Sequence, residues 1–209
     1  MKSSTFFVVL VAIHLGLLAL SVSSLPAASK QQPKAKPKVE LYYETLCPYS
    51  KNFYLEQLEP TFKKLTLDVV DVEVVPFGNV KVAEGPDGIP LFTCQHGAAE
   101  CYGNRVQACV IALTSNLATS LDYVRCVFAQ TNWKDTYTNS ELCANQLGLN
   151  WAQIKTCHAG QQGLDLIIAN WKRTDALVPK KAYVPWIVIN GKLESFNFKF
   201  YSKTLFFTY

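Results

Sequence analysis

The stretch Val39–Ser50 constrains the fold more than any other part of the chain. Val39, Leu41 and Tyr43 alternate with Glu40, Tyr42 and Glu44, the period of two that marks a strand. Downstream, Phe53, Leu55, Leu58, Phe62 and Leu65 recur at about helical spacing. Cys47 therefore falls at a strand-to-helix turn. Pro48 suits the first helical position, where a missing N–H costs nothing, so Cys47 is placed to cap the helix with its sulfur facing free backbone N–H groups. A cysteine so placed, in a turn expected to be exposed, favours the thiolate, the form that attacks disulfides. In a Cys-x-x-Cys redox motif the second cysteine resolves the mixed disulfide. This chain has Ser50 there, whose hydroxyl can at most hydrogen-bond the thiolate.

Residues 1–24 combine Lys2, an apolar run from Phe6 to Leu20 and the small Ser21, Ser23 and Ser24, which reads as a cleaved secretory signal peptide. That run is shorter than the ~20 residues of a bilayer span, and no later stretch is long and uncharged enough, so no membrane insertion is expected. Leu25–Lys38, rich in Pro, Lys, Gln and Ala, reads as a flexible leader or propeptide. Residues 39–209 then form one domain, large enough to bury its own core. The net charge of +4 is modest, and Lys2, Lys30, Lys34, Lys36 and Lys38 lie outside that domain. A folded basic stripe is missing, so no nucleic-acid partner is expected. Seven cysteines leave at least one unpaired within the chain, and Cys47 is the candidate. Cys94, Cys101, Cys109, Cys126, Cys143 and Cys157 can form up to three structural bridges, with fifteen connectivities open.

Further along, the β-branched run Leu67–Val75 predicts a second strand, parallel to the first and stopped by Pro76 and Gly78. Asn79–Leu91, with Gly85-Pro86-Asp87-Gly88 and Pro90, predicts a surface loop. Cys94, His96 and Cys101 lie close enough to suggest zinc ligands, but secreted chains oxidise such cysteines, so no metal is expected. His96 then reads either as a loop residue bonded to backbone or as a functional group. Apolar spacing from Asn104 to Gln130 predicts one long amphipathic helix. A short helix is expected from Ser140 to Gly148, another capped by Asn150 and ending at Gly160, and a third over Gly163–Leu177 with Leu164, Ile167, Ile168 and Trp171 inward. Strand character returns over Tyr183–Lys192, where Val184–Pro185 is a candidate cis bond and Asn190–Gly191 a hairpin turn.

Cys94-Gln95-His96-Gly97, then Glu100-Cys101, Asn104 and Cys109, together with the Cys47 turn, resemble the signature of the gamma-interferon-inducible lysosomal thiol reductase family, a branch of the thioredoxin-like proteins. The resemblance runs from about Val39 to Lys192. It implies an α/β thioredoxin-like fold with a central, disulfide-stabilised helical insertion at about 93–178. It further implies reduction of disulfides in protein substrates, residence in the endosomal or lysosomal lumen, and a cis Pro185 facing Cys47. Pro48, Tyr49, Val184 and Pro185 are the substrate-binding positions on this reading. Two features depart from the family: Ser50 replaces the second active-site cysteine, and the tail from Leu193 to Tyr209 is apolar, cysteine-free and atypical.

These readings lead to a thiol-disulfide oxidoreductase in which Cys47 attacks, Ser50 assists, and an external thiol such as glutathione or free cysteine, with no other cofactor, releases the mixed disulfide. The alternative is a redox-inactive secreted module that binds extended peptides in the same groove. No Asn is followed two residues later by Ser or Thr, so a glycan tag for lysosomal delivery is not expected and secretion competes with it.

Overall fold

The computed structural model describes residues 35–194. The predicted signal peptide (1–24), most of the leader (25–34) and most of the atypical tail (195–209) lie outside the described residues. β1 (Lys38–Tyr43) is an inner strand of a four-stranded sheet ordered β2 (Asp71–Pro76), β1, β5 (Trp186–Ile189), β6 (Lys192–Glu194). β1 and β2 run parallel, from Lys38 opposite Asp71 to Tyr43 opposite Pro76. Between them lie α1 (Pro48–Phe53), a π-helical segment over Tyr54–Leu58, and α2 (Glu59–Leu65). The widened segment ends two residues before Pro60, which has no N–H to continue the α ladder. β2 starts at Asp71, not Leu67. Thr66, at a φ of 62°, breaks the chain direction, and Val69 N–H closes a turn onto its carbonyl.

The alternation in β1 suggests one buried face, but both are covered. Leu41 and Tyr43 pack with Phe53, Tyr54, Phe62, Val74 and Phe128. Tyr42 packs on the other side with Val75, Trp186 and Val188. A strand sandwiched in this way buries its alternate positions as well. β5 pairs antiparallel with β1 and β6 with β5, the latter through Asn190–Gly191 at φ of 50° and 76°, the geometry of a two-residue hairpin. Residues 183–185 precede β5 without belonging to it, and the Val184–Pro185 bond is cis, as is Val178–Pro179.

The expected loop over 79–91 instead holds a second, two-stranded sheet, β3 (Lys81–Glu84) against β4 (Pro90–Thr93). Gly85–Gly88 is its turn rather than a breaker of all regular structure. The single helix expected over 104–130 is two, α3 (Ala98–Leu113) and α4 (Leu117–Ala129). Asn116 divides them, because its side-chain oxygen accepts from Ala118 and Thr119 N–H and caps a new helix. α5 (Thr136–Gln146) begins before Ser140, where Asp135 accepts from Thr138 N–H. α6 (Trp151–Ala159) follows from the Asn150 cap as read, and α7 (Gln161–Asp175) buries Ile167 while Leu164, Ile168 and Trp171 are only half-buried. Val106, Val110, Tyr123, Val127 and Ile154 build a core within this helical block. Two disulfides brace it, Cys109–Cys157 tying α3 to α6 and Cys126–Cys143 tying α4 to α5, while Cys94–Cys101 closes the loop after β4 onto α3.

Candidate active site

β1 delivers the chain to the turn Glu44–Cys47, and Pro48 starts α1 with Cys47 at the N-cap position. The expected sulfur cap is not made. Cys47 has extended backbone angles and no side-chain capping bond, and its Sγ instead approaches the Val184 carbonyl oxygen at 3.8 Å. The structure thus joins the Cys47 turn to the segment preceding β5. Nor is the thiol on an exposed turn: Cys47 is 5% exposed, while Pro48 is exposed and Tyr49 is 64% exposed beside it. Ser50 is fully buried, and its Oγ has no hydrogen-bond partner. It is therefore not bonded to the sulfur it was expected to assist. Cys47 is the one free cysteine of the seven, since the other six are bridged.

The seat of this turn comes from α3. Asn104 Oδ1 accepts the Thr45 backbone N–H at 3.0 Å, while its Nδ2 donates to the Phe77 carbonyl at 3.4 Å. Thr45 Oγ1 donates to the Glu100 carbonyl at 3.2 Å. Such close approach requires Gly103: a Cβ built there would lie 2.7 Å from Thr45 Oγ1 and 3.0 Å from a Thr136 methyl. Tyr43 OH donates to Gln107 Oε1, one turn further along α3. Gly97, at a φ of 84°, occupies the left-handed region before α3 and serves as its N-cap.

Beneath the turn two carboxyl groups meet. Glu44 and Glu100 are both 0% exposed. Glu100 Oε1 accepts the His96 backbone N–H at 3.1 Å, reaching back from the third helical position in the manner of a capping box. His96 Nδ1 lies 2.6 Å from Glu100 Oε2 and 3.6 Å from Glu44 Oε2. Glu44 Oε1 accepts the Asn79 backbone N–H, and Asn79 Oδ1 accepts from Lys181 Nζ. Burial, reinforced by the Glu100 carboxylate, raises the Glu44 pKa to about 7 against the opposing pull of the Asn79 N–H, His96 and Lys181. Burial likewise lowers the Lys181 pKa.

Sequence reasoning singled out His96, placed Glu44 and Thr45 in the stretch carrying Cys47 and quoted Glu100, Gly103 and Asn104, but gave none of these last five a role, and it missed Lys181. A usable signal existed in part: 96, 100 and 104 are spaced by four, which places 100 and 104 on one face of a helix. The zinc set Cys94, His96 and Cys101 is not available, because its two sulfurs are bonded to each other.

A family model described as gamma interferon inducible lysosomal thiol reductase (GILT) matches residues 38–147. A gamma-interferon-inducible lysosomal thiol reductase of Carassius auratus is 35% identical over 159 residues, 74% of this chain and 59% of that protein. GILT-like protein 1 of Drosophila melanogaster is 34% identical over 77% of this chain and 68% of its own length. A gamma-interferon-responsive lysosomal thiol protein of Arabidopsis thaliana is 33% identical over 84% and 70%. The chain therefore spans about three fifths of the length of the Carassius auratus relative. Among solved structures, DsbA of Chlamydia trachomatis superposes with a TM-score of 0.55 at 14% identity, covering 78% of this chain and 81% of that one. MdbA of Corynebacterium matruchotii gives 0.53 at 15% identity, covering 80% of each. At such identities the likeness is one of fold: a thioredoxin-like sheet carrying a helical insertion.

Proposed function

The chain belongs to the gamma-interferon-inducible lysosomal thiol reductase family, and on that premise we propose that it is a thiol-disulfide oxidoreductase acting on protein disulfides through Cys47 alone. The observation that carries this reading is that Cys47, unpaired among seven cysteines, stands at the strand-to-helix turn with its sulfur against the Val184 carbonyl. The Cys47 thiolate attacks one sulfur of a substrate disulfide. A bond forms between Cys47 and that sulfur, and the other sulfur leaves as a thiolate that takes up a proton. No cysteine follows at position 50 to resolve the intermediate. A first external thiol such as glutathione or free cysteine then displaces one partner, and a second completes the two-electron reduction, leaving the external thiol as its disulfide. Val184 and Pro185, with Pro48 and the exposed Tyr49, form the ledge and rim on which an extended substrate segment is held. Three intramolecular bridges fit an oxidising or lumenal compartment, secretory or lysosomal. No helix among the described residues is long and apolar enough to cross a membrane.

The test is disulfide exchange on an unfolded, disulfide-containing protein with glutathione present. Cys47→Ala should abolish the enzyme-dependent rate, and retention of that rate would refute the reading. The burial of Cys47 and the buried, unpartnered Ser50 favour a second reading, a peptide-binding module without turnover. In that case Cys47→Ala would leave peptide capture intact, and the parent chain would show no glutathione-dependent exchange.

A further inference from the structure

We propose that Glu44, His96 and Glu100 form a binding site for a divalent transition-metal ion of the zinc class directly beneath the Cys47 turn. One donor atom from each of the three lies within 4.8 Å of the other two. Each carboxylate is already held by one oxygen: Glu44 Oε1 by the Asn79 N–H, Glu100 Oε1 by the His96 N–H. Each therefore presents a single oxygen, Oε2, toward His96 Nδ1. Outer hydrogen bonds that orient ligands in this way are a regular feature of metal sites.

The independent sign that something belongs between these groups is Glu44 Oε2. It is a buried oxygen of a fully buried side chain, aimed at the cluster, and it has no hydrogen-bond partner. A buried carboxylate oxygen left in that state is costly unless a cation or a proton occupies it. The spacing suits a metal. With bonds of about 2.1 Å, tetrahedral ligands stand about 3.4 Å apart. His96 Nδ1 and Glu44 Oε2 stand 3.6 Å apart, and the 2.6 Å separation from Glu100 Oε2 needs only that the His96 ring exchange its hydrogen bond for the metal. Mixed imidazole and carboxylate donors suit zinc better than magnesium or calcium. His96 is 34% exposed, so an ion enters past its ring and keeps a fourth position open to solvent. The Lys181 charge, which acts on Glu44, is drawn aside onto Asn79 Oδ1. Binding would clamp the end of β1 to the start of α3, and with it the turn bearing Cys47.

This inference does not rest on the redox reading, and its experiment keeps the two apart. The full chain carrying Cys47→Ala, with its disulfides intact, has no free thiol to bind zinc. Equilibrium dialysis against zinc sulfate with metal analysis should find one zinc per chain. His96→Ala and Glu100→Gln should each weaken binding at least about tenfold, while His158→Ala, whose ring packs on Tyr102 away from the cluster, should leave it unchanged. Lack of one-to-one zinc binding by the Cys47→Ala chain, or equal binding by His96→Ala, overturns the proposal. Should Glu100→Gln fail to fold by circular dichroism, His96→Ala, a change at a partly exposed ring, decides alone.

Discussion

Replacing Asn104 by alanine should damage the candidate active site without touching the thiol. The Asn104 side chain is 1% exposed and makes two bonds, accepting from Thr45 N–H at 3.0 Å and donating to the Phe77 carbonyl at 3.4 Å. Thr45 and Phe77 are themselves buried, so water does not replace the lost partners. A buried donor or acceptor left unpaired costs about 1–3 kcal/mol. The long bond to Phe77 belongs at the low end of that range, and the total is about 3 kcal/mol. Thr45→Val is the comparison: it removes only the hydroxyl bond to the Glu100 carbonyl and should cost about 1 kcal/mol.

Urea denaturation with the disulfides intact measures these losses. The functional consequence follows from Cys47 being only 5% exposed. Loosening its turn should speed alkylation by iodoacetamide, because the sulfur becomes accessible. Exchange with a protein disulfide should slow on the order of tenfold or more, because attack needs the sulfur held in line. Opposite movements of the two rates are the signature of a displaced turn. If Asn104→Ala loses stability while both rates stay at parental values, the seat built by α3 has no bearing on the thiol and the reasoning fails.

Ser50→Cys places a thiol where a fully buried hydroxyl now lacks a partner, and it should cut the glutathione concentration needed for half-maximal turnover; an unchanged dependence would mean that release does not limit the rate. Removing disulfides as alanine pairs should cost stability in the order of the loops they close: about 4 kcal/mol for Cys109–Cys157 (separation 48), about 3 for Cys126–Cys143 (17) and about 2.4 for Cys94–Cys101 (7). Urea midpoints in the reverse order would show that burial of the sulfurs outweighs loop entropy. Gly103→Ala should destabilise the fold and perturb Cys47 together, since the added methyl would enter the space of Thr45; a stable variant with parental exchange rates would contradict the close approach.

Much of the frame is visible in residue order because local chemistry decides it. The Asn150 cap, the Asn190–Gly191 hairpin and the Cys47-Pro48 helix start are each settled by one or two residues with strong conformational preferences. The misreadings have the opposite character. Val106, Val110, Leu113 and Leu117 keep helical spacing straight through Thr114–Asn116, so periodicity alone joins two helices that the Asn116 side chain separates. Glu44 looks like the outward member of an alternating strand end. It is buried because Asn79, Lys181 and the first turn of α3 all arrive from distant parts of the chain.

The same contrast explains how the signature around α3 acts on a thiol that is remote in sequence. Cys94–Cys101 and Gly97 fix where α3 begins. From that origin, Glu100, Gly103, Asn104 and Gln107 fall on one face, where they meet Glu44, Thr45 and Tyr43 in turn. A one-residue shift in the start of α3 would rotate this face by roughly 100° and unseat every one of those contacts at once. The short bridge in the loop is thus a register pin for the turn that bears Cys47. Its reduction should release Cys47 from its seat before the helical block, held by its own two bridges, gives way. Mild reductant that opens Cys94–Cys101 first should therefore raise Cys47 alkylation while far-ultraviolet circular dichroism stays constant, and a simultaneous loss of both would show that the seat and the helical block stand or fall together.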